Sequence, residues 1–174
     1  AVLAGLGMLM NGQALPAVAL PLLERARELG GDAPPVLREI GLARTYLGDT
    51  DGAERALQAC LAAAPDAAQA WRDLARLRRW TPERNHVASL RAALSRLGEG
   101  HRDAPLLQYA LFKELDDLGR TDEAWAALEA GMRRHRAQVG FDPGGEAALF
   151  DALMAIPCGS RHGGDKPEED EADE

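Results

Sequence analysis

Four histidines, two cysteines and three serines are the side chains of this 174-residue sequence able to bind a metal or attack a substrate. Their spacing argues against both. His86, His101, His135 and His162 are scattered, and no pair has the one-face helical spacing of a zinc site. Cys60 falls in an apolar helical pattern suited to a small buried hydrophobe, and Cys158 has only His162 close by. Ser89, Ser95 and Ser160 stand in no G-x-S-x-G elbow, so a hydrolase nucleophile is not expected. Gly5 and Gly7 lack the strand and the spacing of a phosphate-cradling loop and read as helix-packing glycines. Asp116 and Asp117 are adjacent, which on a helix splits their directions and suits a solvated surface better than paired acid–base work. The chain therefore reads as a non-enzyme with no metal and no cofactor.

Large aromatics offer a second kind of chemistry, stacking on a ligand. Trp71 and Trp125 are assigned to the core, whereas Trp80, beside a turn, fits either role. The net charge of -8 disfavours general nucleic-acid binding, which needs positive charge to displace phosphate counterions. Much of that charge sits in "GGDKPEEDEADE" from Gly163, which lacks the apolar side chains needed for a core. The apolar opening "AVLAGLGMLMNGQALPAVALPLL" is split by Asn11, Gly12 and Gln13, followed by two prolines and preceded by no basic residue, so a core helix pair is expected there and no membrane span. With only two cysteines, a reducing, cytoplasmic setting is expected. The absent initiator methionine suggests a piece of a longer chain.

The elements that position these side chains are helices. Alanine, leucine, glutamate and arginine dominate, and they lose little entropy in a helix. Gly5 to Gly41 and Gly12 to Gly48 share one spacing, about 36 residues, and Gly48 to Gly119 is about two such steps. Periods of this size indicate stacked supersecondary units. The breaks between them are "GGDAPP", "AAAPDA" and "GEGHRDAP". In the clearest unit Leu37, Ile40, Gly41 and Leu47 mark one helical face, and Ala53, Ala56, Leu57, Cys60 and Leu61 mark the next. Thr50 is the expected N-cap of its second helix; Thr81, with Pro82 at the first helical position, is expected to start the matching helix of the third unit.

These residues resemble the tetratricopeptide repeat, a helix pair of about 34 residues. The second unit, Pro34 to Ala67, carries the pattern through Leu37, Ile40, Gly41, Gly48, Ala53, Leu57, Cys60 and Pro65; the fourth recovers it with Leu111, Gly119, Ala124 and Leu128. The third is about three residues too long and has Pro82 at its turn, and Arg44 stands where an aromatic is usual, which implies looser packing. The resemblance covers roughly residues 1–138. It implies an all-α, right-handed α-α superhelix of about four hairpins, with a closing helix near residues 144–155, a repeat domain over 1–156 and a disordered acidic tail over 157–174. Tyr109 to Ala155 also looks like the junction in bacterial tetratricopeptide-repeat sulfotransferases, where the array ends and the catalytic domain begins; "IPCGSRHGG" follows instead of a phosphosulfate loop, so that activity is carried onto no residue here.

The resemblance also implies a concave groove lined by the first helix of each unit. In register these helices place Arg38, Leu42, Thr45 and Tyr46, then Arg72, Arg76 and Arg79, then Tyr109 and Lys113 along it. Such a basic stripe suits an acidic peptide or a C-terminal carboxylate, since arginine grips carboxylates bidentately. The competing reading is that these arginines balance Glu39 and Asp73. The expected function is a non-catalytic protein- or peptide-binding scaffold; the alternative is the accessory region of a sulfotransferase whose catalytic domain lies elsewhere. Two further expectations are that the acidic tail competes for the groove and that the open apolar ends of the array self-associate to a homo-oligomer.

Overall fold

The computed structural model describes residues 1–98, 100–140 and 142–155. The expected acidic tail and the Cys158–His162 pair lie outside them. Nine helices form among the described residues: α1 (Val2–Gly12), α2 (Pro16–Gly30), α3 (Pro34–Tyr46), α4 (Thr50–Ala63), α5 (Ala68–Ala75), α6 (Val87–Leu97), α7 (Ala104–Asp117), α8 (Thr121–Val139) and α9 (Pro143–Met154). The chain divides into two units, residues 1–139 and 140–174.

In the first unit α1–α2, α3–α4 and α7–α8 are antiparallel hairpins, whereas α5 and α6, the helices of the third unit, pack against α7 more than on each other. Each hairpin leans on the next through α2 on α3, α4 on α5 and α6 on α7, while the first helices also meet, α1 with α3 and α5 with α7. That is a row of hairpins forming a helical-repeat superhelix. In the second unit α9 forms over the expected span; Asp142 caps it by accepting from the Gly144 N–H at 3.0 Å, and none of its residues is buried.

The small residues at the crossings reveal the repeat step. A Cβ on Gly7 would lie 2.6 Å from Leu23 Cγ, and one on Gly41 would lie 2.7 Å from Leu57 Cγ. Gly7 with Gly41, Ala19 with Ala53 and Leu23 with Leu57 all share one spacing, that of a tetratricopeptide unit of about 34 residues. Gly5 and Gly12, by contrast, face open space. The longer step expected from Gly5 and Gly12 is therefore corrected to that of the Gly7–Gly41 pair.

The same step recurs in the turns. Gly48 (φ +80°) and Gly119 (φ +69°) are left-handed, and the following N–H returns to a carbonyl one turn back, Asp49 to Arg44 and Arg120 to Leu115, both at 2.9 Å. This 6→1 closure satisfies helix-end carbonyls that would otherwise be orphaned. In the first hairpin the left-handed position falls on Ala14 (φ 56°), one repeat before Gly48, with Leu15 N–H bonded to Met10 C=O at 2.9 Å.

Three local expectations are overturned. The cap of α4 is Asp49, whose carboxylate accepts from the Gly52 N–H at 2.9 Å, and Thr50 is the first helical residue. The third unit does not begin a helix at Pro82: Thr81 and Arg84 exchange backbone hydrogen bonds of 3.1 and 3.0 Å in a tight turn, and α6 starts only at Val87. Trp125 is exposed, its indole N–H donating to Glu129 at 3.0 Å. Trp71 is buried as expected, and so is Trp80, whose indole N–H reaches the Ala75 carbonyl at 2.9 Å.

Candidate partner-binding surface

In the repeat register, with the insertion in the third unit allowed for, the expected groove residues fall into two rows one helical turn apart: Arg38, Arg72 and Tyr109, then Leu42, Arg76 and Lys113. Their surroundings separate them sharply.

Arg38 is largely taken up by neighbours. Its guanidinium donates to Asp73 through Nε and Nη2, both at 2.8 Å, and to Glu39 through Nη1 at 2.9 Å. Arg72 holds the other oxygen of Asp73 at 3.0 Å, and Asn11 donates to Glu39 at 2.9 Å. The first helices α1, α3 and α5 are thus tied by an alternating chain of amide, carboxylate and guanidinium groups. A crevice of about 410 Å³ beside Arg38 is also lined by Glu39, Asp66 and Asp103, a composition that repels an anionic ligand. Tyr109 sets its ring against the backbone of α8, where a Cβ on Gly131 would be 3.1 Å from its Cε1.

In the second row Leu42 is half-buried, and the Lys113 ammonium donates to the Arg78 carbonyl and to the Asp117 carboxylate. Arg76, the C-cap residue of α5, and Arg79 beyond it are exposed and make no ion pair among the described residues. Tyr46 is exposed at the end of α3, and Thr45 turns its hydroxyl onto the Gly41 carbonyl at 2.8 Å. Among the expected residues, Arg76 and Arg79 are thus the exposed arginines without an ion pair among the described residues, and Arg79 lies outside the first helix that was expected to carry it.

The segment carrying Arg79, residues 76–86, is a strap clamped from both sides. From α4, the buried Glu54 carboxylate forms an ion pair with Arg78 at 3.0 Å and accepts a hydrogen bond from Arg84 at 2.6 Å, and Asp51 accepts from Arg78 at 2.5 Å. The hydrogen bond from Arg78 holds the Asp51 carboxyl below its ordinary range, and the same bond keeps Arg78 charged. From α7, Asp117 accepts the Trp80 backbone N–H at 2.9 Å, and Glu114, fully buried, accepts the His86 backbone N–H at 2.5 Å and pairs with Nδ1 at 2.9 Å. His86 also packs edge-on to Trp80, with ring centroids 4.5 Å apart.

The sequence alone points Asp117 to the solvated surface, gives His86 no role and passes over Glu54 and Glu114. The available signal was register: Glu54 occupies the place of Leu20, and Glu114 that of Ala43, so each puts a charge where an earlier unit has an apolar residue. Arg44 lines a cavity of about 230 Å³ with Leu37, Ile40 and Ala56, in keeping with the looser packing expected there. It links the first two hairpins through Glu24 at 2.8 Å, and Arg78, one repeat later, makes the corresponding link with Glu54. Cys60 is buried as expected, and desolvation pushes its thiol pKa up, away from the reactive thiolate. No group of three or more metal-binding side chains forms among the described residues, and none of their helices is long and apolar enough to cross a membrane.

Residues 34–77, which span α3, α4 and α5, match the tetratricopeptide repeat family. No curated protein sequence matches the chain. Among solved structures, that of MamA is similar with a TM-score of 0.62 at 16% identity, covering 80% of this chain and 80% of MamA. The chain is thus similar in sequence to the tetratricopeptide repeat around its second hairpin, and similar in fold to MamA over four fifths of its length.

Proposed function

We propose that this chain is a non-catalytic scaffold that binds a protein or peptide along its first helices, with an acidic segment or a C-terminal carboxylate as the ligand. The observation that carries this reading is the contrast between Arg38 and Arg72, neutralised by Asp73 and Glu39, and the exposed Arg76 and Arg79. Arg76 at the C-cap of α5 and Arg79 in the strap beyond that helix, with the exposed phenol of Tyr46 at the end of α3, offer bidentate donors and an aromatic edge to an extended acidic chain.

The test is a peptide array of acidic sequences, each with a free and an amidated C-terminus, probed with the chain and with Arg76→Ala/Arg79→Ala. Retained acidic peptides should lose about tenfold or more in affinity with the double variant and weaken as salt rises. Peptides bound equally by both proteins would contradict the reading. Nothing in the geometry favours a sulfotransferase accessory role: Tyr109 to Ala155 holds most of α7 and all of α8 and α9, and neither comparison points to that enzyme.

A further inference from the structure

The second helices of the first two hairpins do not close over the first helix that lies between them. α2 and α4 both pack on α3, and a cavity of about 230 Å³ is left among the three. Its floor is apolar, made by Leu37 and Ile40 of α3 with Ala56 and Ala59 of α4. The rest of its lining is cationic: Arg27 of α2, Arg44 of α3 and Arg55 of α4. No carboxylate among the described residues lines it.

The same gap recurs one unit later. Between α4 and α6 a crevice of about 360 Å³ is floored by Trp71 and Leu74, the repeat equivalents of Leu37 and Ile40. The three cations do not recur with it. Leu61 stands at the place of Arg27 and, with the insertion in the third unit allowed for, Ala92 stands at that of Arg55. Arg78, the equivalent of Arg44, is paired with Asp51 and Glu54, and the later crevice's own Arg96 is held by Asp66 at 2.7 Å. Repeat geometry therefore accounts for the gap, but not for the guanidiniums around the first one.

Those guanidiniums have donors to spare. Arg44 gives Nη2 to Glu24 at 2.8 Å, while its Nε is buried and bonds to nothing among the described residues. Arg55 is exposed and makes no ion pair among the described residues. A buried donor without an acceptor is costly, and a carboxylate supplies two acceptor oxygens in the geometry a guanidinium matches. The volume admits about seven or eight groups the size of a water molecule or a methylene. We propose that this cavity binds a small aliphatic carboxylate of about six carbons, its chain on Leu37, Ile40 and Ala56 and its carboxylate between Arg44 and Arg55. The site shares no residue with Arg76 and Arg79, so either reading can fail without the other.

The experiment titrates the isotope-labelled chain with hexanoate, acetate and hexanol and follows the amide shifts by nuclear magnetic resonance. The variants are Arg55→Ala, Ala59→Leu and Arg76→Ala/Arg79→Ala. Ala59→Leu fills the cavity, and Arg96 at the equivalent place on α6 shows that a long side chain is accommodated there. An unchanged melting temperature verifies that each variant folds. Hexanoate should bind about tenfold or more tightly than acetate or hexanol, and Arg55→Ala should weaken it about tenfold. Ala59→Leu should abolish binding, and Arg76→Ala/Arg79→Ala should leave it unchanged. A parent chain with no saturable shifts on adding hexanoate overturns the proposal. So does hexanol binding as tightly as hexanoate, which reduces the site to an apolar void, and so does unaltered binding by Ala59→Leu, which puts the ligand elsewhere. A leucine-terminated peptide that binds more tightly than hexanoate and is lost with Ala59→Leu would overturn the choice of a small molecule in favour of a protein terminus.

Discussion

Glu114 and His86 sit on different hairpins, yet the buried Glu114 carboxylate meets both the backbone N–H and the ring Nδ1 of His86. His86 is the N-cap residue of α6, and its side chain makes no capping bond of its own. A carboxylate from the following unit therefore lies against the positive end of that helix. The arrangement explains how the third unit can dispense with a left-handed glycine joining its helices directly: its long connection is held from α4 and α7.

Replacing Glu114 with Gln keeps its size while removing the charge and one acceptor oxygen. We expect a loss of about 1–3 kcal/mol in chemical denaturation, the cost of weakening charge-assisted bonds in a buried site. An unchanged midpoint would mean that the strap is held by its other contacts alone.

The close crossings separate glycines of similar appearance. Gly41→Ala puts a methyl within 2.7 Å of Leu57 Cγ and should cost about 1–3 kcal/mol through overpacking. Gly5→Ala, facing open space on the same type of helix, should stabilise by about 0.5–1 kcal/mol. Thermal melts of the two variants should therefore shift in opposite directions.

Ala14 carries a left-handed conformation that glycine carries at Gly48 and Gly119. Ala14→Gly should raise stability by up to about 1 kcal/mol by relieving the Cβ clash, and Gly119→Ala should lower it by a similar amount. A melting temperature lowered by Ala14→Gly would place the entropy of the unfolded chain above the strain.

Acid should loosen the strap. Hydrogen bonds from Arg78 lower the pKa of Asp51, and those from Arg120 and Arg91 lower that of Glu123. A carboxylate with a folded-state pKa below its unfolded value contributes stability that is present above the unfolded value and is lost as pH falls through the folded one. The gap in melting temperature between the parent chain and Asp51→Asn should therefore persist above about pH 5 and shrink below about pH 4. A gap that is constant with pH would assign the effect to something other than the charge.

The helices and three of the four hairpins were legible in the sequence because Leu37, Ile40, Ala53, Leu57 and their fellows follow one strong period. The step was misread because glycine serves two physical roles here. Gly41 and Gly7 mark a helix crossing, Gly48 marks a left-handed turn, and pairing Gly5 or Gly12 with either mixes a surface position with a structural one. The third unit was illegible for a different reason. Its connection is stabilised by Glu54, Glu114 and Asp117, all remote in sequence from the groups they bind, and local propensity carries no trace of such partners. Among the arginines expected to form a basic stripe, only the fold distinguishes Arg38, bridged to Asp73, from Arg76 and Arg79.

That distinction is the centre of the functional account, and paired measurements of affinity and melting temperature test it most directly. With an acidic peptide retained on the array, Arg76→Ala/Arg79→Ala should weaken binding about tenfold or more and leave the melting temperature within about a degree. Arg38→Met should do the reverse, lowering the melting temperature by several degrees through the bonds lost to Asp73 Oδ2 and to Glu39, while changing affinity less than about twofold. If Arg38→Met abolishes binding in a protein that melts normally, and the double variant binds as tightly as the parent, the assignment of structural and recognition arginines is inverted and the account fails.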